Sequence, residues 1–124
     1  MSIPPTAGAE SKMDDQLRLD RLSARAAQDS VNDQRRIKHL PVARALRDPS
    51  HAASIIASAK IQVQLWRDRG LCSGDYIAAW DELLQQPARA AAILEEQSVG
   101  AIQLRQNSPF VSSVRQFNAL THAA

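Results

Sequence analysis

An all-α fold is predicted for this chain: a small helical bundle of about four helices over residues 49–121, preceded by a polar and basic helical arm. Three observations predict it. Only four glycines occur in 124 residues, too few for a turn-rich β architecture. Alanine, leucine, glutamine and arginine, all good helix formers, recur along the whole chain. No Asn-Gly or Asp-Gly dipeptide and no sustained alternation of β-branched residues marks a hairpin or a strand.

Taken in order, residues 1–10 hold Pro4, Pro5 and Gly8 without apolar periodicity and are expected to be disordered. Ser11 and Asp14 have capping-box spacing, so a helix is expected to start there. It is expected to run to Leu40 and to stop or kink at Pro41. Its apolar residues (Leu17, Leu19, Leu22, Ala24, Ala27 and Val31) do not settle on one narrow stripe, and residues 28–36 are almost all polar. Residues 11–47 therefore read as an arm that gains little from packing on its own domain.

Residues 48–124 read as the folded domain. Asp48 is an N-cap followed by a proline in the first turn. Ala52, Ile55, Ile56, Ala59, Val63 and Trp66 share one helical face. Gly70, after Arg67 and Arg69, ends that helix. Ser73 caps the next, with the stripe Tyr76, Ile77, Trp80, Leu83 and Leu84. Pro87 opens a third segment, with Ala90, Ile93 and Leu94 facing inward and Gly100 closing it. A short turn around Ile102 and Leu104 follows. Ser108-Pro109 then begins a last amphipathic helix through Phe110, Val114, Phe117 and Leu120. Trp66 and Trp80, on apolar stripes, are expected in the core.

Composition narrows the function classes. No stretch approaches the roughly 20 apolar residues of a membrane span. The opening residues lack a basic segment followed by an apolar run. With Cys72 as the only cysteine, no internal disulfide exists and a reducing, cytoplasmic setting is expected. Net charge is +2, unevenly spread. Residues 1–47 carry nine Lys/Arg against six Asp/Glu, and residues 48–124 six against seven.

Arg35, Arg36, Lys38, Arg44 and Arg47, with His39 among them, lie in an acid-free stretch from Gln34 to Arg47. They are the candidate partner-binding residues, suited to phosphate or acidic-protein contact. No aromatic residue interrupts them, so base stacking is not suggested. The junction from Trp66 to Tyr76 has the outline of a helix-turn-helix, but its second helix carries Asp75, Asp81 and Glu82 and no cation before Arg89. Phosphates would repel it, and an ordinary helical hairpin is the expectation.

Catalytic, cofactor and metal sites are not indicated. Cys72 lacks a base within any local motif, because His39, His51 and His122 are scattered. The acid pairs Asp14-Asp15, Asp81-Glu82 and Glu95-Glu96 diverge by about 100° on a helix. The expectation is a non-enzymatic regulatory or adaptor protein that binds another protein and no membrane. A nucleic-acid-associated regulator using residues 35–47 is the alternative.

Overall fold

The computed structural model describes the backbone of residues 6–123 and the side chains of residues 12–120. These residues form six α-helices and no strand: α1 (Thr6–Leu46), α2 (Pro49–Arg69), α3 (Gly74–Leu83), α4 (Pro87–Glu95), α5 (Val99–Arg105) and α6 (Val111–Ala123). The all-α class is as expected. The region behind Pro49 holds five helices rather than about four, because the segment after Pro87 divides in two. The chain separates into two units at the Asp33–Gln34 boundary.

In the first unit α1 is already helical at Thr6, ahead of the start expected at Ser11. Of the segment expected to be disordered, residues 1–5 lie outside the described residues. Every side chain from Lys12 to Val31 is exposed.

The second unit holds the core, and the core begins earlier than Pro49. Val42, Ala43, Ala45 and Leu46 are all buried there. Pro41 does not end α1. Proline lacks the N–H that would serve the Ile37 carbonyl four residues back. The next carbonyl, that of Lys38, accepts from Asn118 Nδ2 of α6 at 2.9 Å. Burial of the four apolar residues just past the proline offsets the lost bond.

α2 has the boundaries its sequence encodes. Asp48 accepts from the Ser50 N–H at 3.0 Å and the Ser50 hydroxyl at 2.8 Å. Those two bonds hold its carboxyl below the usual range. At the other end Gly70 adopts φ 62°. Its N–H donates to the Arg67 carbonyl and that of Leu71 to the Trp66 carbonyl, at 3.4 and 2.9 Å, closing a Schellman turn. Ile55, Ile56, Ala59, Val63 and Trp66 are buried. Arg67 pairs with Asp81 of α3.

Ser73 caps α3 by accepting from the Tyr76 N–H at 3.2 Å. Ile77, Trp80 and Leu83 face the core. Trp80 is fully buried and meets Phe110 edge-on, with ring centroids 5.6 Å apart. Both tryptophans are core residues, as their stripes imply. The Tyr76 hydroxyl reaches the end of α5. Its one proton serves the carbonyl of Leu104 (2.7 Å) or Asn107 (2.8 Å), and it accepts from the Asn107 N–H at 3.2 Å. It thus supplies one donor to the carbonyls left open at the end of a seven-residue helix.

Gly100 does not close α4. It lies inside α5, whose N-cap is Ser98, accepting from the Ala101 N–H at 3.2 Å. A Cβ at Gly70 or at Gly100 would meet nothing within 4 Å, but only Gly70 has positive φ. Gly70→Ala is therefore expected to destabilise by about 1–2 kcal/mol through backbone strain alone. Gly100→Ala is expected to stabilise by about 0.4–1 kcal/mol. Urea unfolding of the two variants reads the opposite signs.

Candidate functional site

Three places carry side chains that the fold itself does not account for. The first is α1 from Met13 to Val31. At 100° per residue, Met13, Leu17, Ala24, Ala27 and Val31 fall within about 40° of one line along the helix, broken once by Asp20. Leu19, Leu22 and Ala26 lie on the opposite side. The stripe was hidden in the sequence because these two sets interleave. Met13, Leu17 and Val31 are 65%, 49% and 46% exposed, and Leu19 and Leu22 are exposed as well. The ion pair Asp15–Arg18 and the bonds Gln16–Asp20 and Gln28–Asn32 run along the helix and hold it internally.

The second place is the basic stretch. The structure does not gather Arg35, Arg36, Lys38, Arg44 and Arg47 on one face. Arg35 and Arg36 flank the buried side of α1 and are half-buried. Lys38 lies about 60° from Arg35, while Arg44 points about 180° away from it, to solvent. Arg47 pairs with Glu95 of α4. Arg44 rims an open groove of about 340 Å3 with Pro41, Ala45, Asp48, Phe117 and Leu120.

The third place was invisible in the sequence. His39 is buried, and its Nδ1 lies 2.6 Å from the Arg35 carbonyl while Nε2 lies 2.8 Å from Ser108 Oγ. A carbonyl only accepts, so Nδ1 carries the proton. Ser108 Oγ accepts from the Phe110 N–H at 3.1 Å and turns its own proton to Nε2. Every polarity matches for a neutral imidazole. Burial pushes the His39 pKa down, against the pull of the Arg35 carbonyl, and the charge of Arg105 lowers it further. A hydroxyl bonded to an imidazole is also the arrangement of a Ser nucleophile and its base. Here both side chains are buried, and the serine oxygen is committed to a backbone N–H. The pair clasps the end of α1 to the segment ahead of α6. Next to it, Arg105 is 3% exposed and donates from Nη1 to the Ile93 carbonyl at 2.6 Å, while its Nε has no acceptor.

Cys72 is half-buried, and its sulfur accepts from Asn107 Nδ2 at 3.0 Å. It lines a cleft of about 210 Å3 with Ser73, Tyr76, Gln103, Gln106 and Asn107. No histidine lines that cleft. Among the described residues no group of three His, Cys, Asp or Glu side chains is placed to hold a metal ion. Nor is any helix among them long and apolar enough to cross a membrane. Comparison of the chain with protein-family models, curated proteins and solved structures finds no match.

Proposed function

We propose that this chain is a non-enzymatic regulatory or adaptor protein that works by binding another protein through α1, on the face carrying Met13, Leu17, Ala24, Ala27 and Val31. One observation carries the reading: from Lys12 to Val31 no side chain is buried, although large apolar residues recur there. Helices in proteins draw most of their stability from a packed face rather than from propensity, and this stretch packs against nothing else among the described residues. Ala24 and Ala27 at the centre of the stripe would let a partner helix approach closely, with Met13, Leu17 and Val31 as anchors. This reading expects a reducing, cytoplasmic setting. The alternative of phosphate contacts along residues 35–47 finds less support, because those cations radiate to different sides of α1.

The test compares the two sides of the helix. Leu17→Ser with Val31→Ser removes two anchors from the stripe, and Leu19→Ser with Leu22→Ser removes two from the opposite side. Neither pair touches the core. Each anchor contributes about 1–2 kcal/mol to a packed interface, so the first pair is expected to weaken binding to proteins captured from the native host roughly 30-fold or more. The second pair is expected to change it by less than about threefold. Equal losses from both pairs, or none from either, would remove the proposal. Steep loss of binding with added salt, together with insensitivity to both pairs, would favour the nucleic-acid alternative.

A further inference from the structure

Arg105 is the last residue of α5, and among the described residues it is a cation without a counter-ion. Only 3% of it reaches solvent. Its Nη1 bond goes to Ile93 in the last turn of α4, where carbonyls lack helical donors and the helix dipole is negative. The Nε–H is buried and meets no acceptor. Among the described residues no carboxylate oxygen comes within 4.0 Å of its guanidinium. The nearest acid to influence it, Glu96, does so from beyond ion-pair distance. Removing a guanidinium from water while leaving an N–H bare is unfavourable unless something completes the bonding.

The unmet need has a definite shape. With Nη1 committed to Ile93, the edge left is Nε with Nη2, one of the two forks by which arginine grips a pair of oxygens on a carboxylate or phosphate. A second cation, Arg36, is near enough for its charge to act on Arg105. Arg36 lies one turn before His39 on α1, His39 is bonded to Ser108, and Ser108 is three residues beyond Arg105. Arg36 accordingly acts on Arg105 as its strongest charged neighbour. The imidazole between them adds no charge at neutral pH, since burial holds its pKa below the ordinary value.

We propose that Arg105, assisted by Arg36, binds an oxyanion, carboxylate or phosphate, on the Nε–Nη2 edge. The site lies wholly within residues 34–124 and is independent of the proposed role of residues 12–31. An anion there neutralises the covered cation and fastens the end of α5 to α1, which makes the folded state sensitive to that ligand.

The experiment uses the full-length chain labelled with 15N and follows the Arg105 Nε–H resonance. Sodium phosphate and sodium acetate are titrated separately, with sodium chloride at matched ionic strength as the control. The expected result is a saturable shift with phosphate or acetate and none with chloride, and the anion that saturates names the ligand class. The thermal midpoint should rise by about 4 °C or more when the anion stands tenfold above its Kd. Arg36→Gln should weaken the binding about tenfold. Arg105→Lys keeps the charge but removes the fork, and should abolish the saturable rise in midpoint. An equal shift with chloride would overturn the proposal, as would an unchanged titration in Arg36→Gln. So would Glu96→Gln moving the Arg105 resonance, without added anion, as far as phosphate moves it in the parent chain. Glu96 would then be the counter-ion. Because the resonance is read in the parent chain, a poorly folding Arg105 variant does not decide the outcome.

Discussion

Trp80→Ala is expected to lower the free energy of unfolding by roughly 3–5 kcal/mol, the cost of emptying a large aromatic site. Trp80 is fully buried and lies edge-on to Phe110, itself 1% exposed, so neither neighbour can be rehydrated without opening the core. A domain of this size holds only about 5–15 kcal/mol in total, and the variant should lose its folded baseline in mild urea. Trp80→Phe makes the comparison informative. The indole Nε1–H is buried without a hydrogen-bond partner. It is near enough to favour a phenolate at Tyr76, though burial pushes that phenol up on balance. Phenylalanine keeps most of the ring contact and removes the bare donor, so its cost should stay below about 1.5 kcal/mol. A loss as large as that of alanine would mean that the indole is hydrogen-bonded to the Tyr76 hydroxyl in solution.

Mild acid is expected to be the second large effect, acting through His39. Above pH 6.5, the ordinary value, the group is neutral in both folded and unfolded chains, and the clasp contributes in full. Burial holds its folded pKa below 6.5. As pH falls beneath 6.5 the unfolded chain takes up the proton first, and stability declines by up to about 1.4 kcal/mol per pH unit. The decline ends once pH passes the lowered folded value. Protonation would put an Nε2–H against Ser108 Oγ, whose own proton then has no acceptor there, and would add a positive charge near Arg35, Arg36 and Arg105. Urea unfolding at pH 7.5 and pH 5 measures the slope, and His39→Gln should flatten it. Asp48 also has a lowered pKa, but its contribution is lost only below its ordinary value of 3.8, outside this window. At neutral pH, Ser108→Ala should cost about 1–3 kcal/mol, because Nε2 and the Phe110 N–H both lose their partner.

The parts of this fold that were legible in the sequence are those decided locally. Asp48, Pro49 and Gly70 bound α2, and Ser73 starts α3, because caps and left-handed turns depend on a few neighbouring residues. The spacing of Ile55, Ile56, Ala59, Val63 and Trp66 placed them on a common buried face for the same reason. Misreadings arose where packing outweighs a local preference. Pro41 looks like a terminator, but Val42, Ala43, Ala45 and Leu46 have a core to enter. Gly100 looks like a stop, but the Ser98 cap starts a helix across it. The pairing of His39 with Ser108 spans 69 positions, and no periodicity reports a polar bond over that distance. The covered fork of Arg105 was equally hidden, since an isolated arginine in sequence gives no sign of burial.

The continuity of α1 has a genetic consequence. A gene shortened by its first 33 codons would still encode every apolar side chain that is buried among the described residues. One shortened by 47 codons would lose His39, Val42, Ala43, Ala45 and Leu46 together, all of them buried. Recombination can therefore exchange the leading segment for another only at an internal point of a helix, where the incoming sequence must itself be helical. That requirement favours inheritance of the two parts as a single piece.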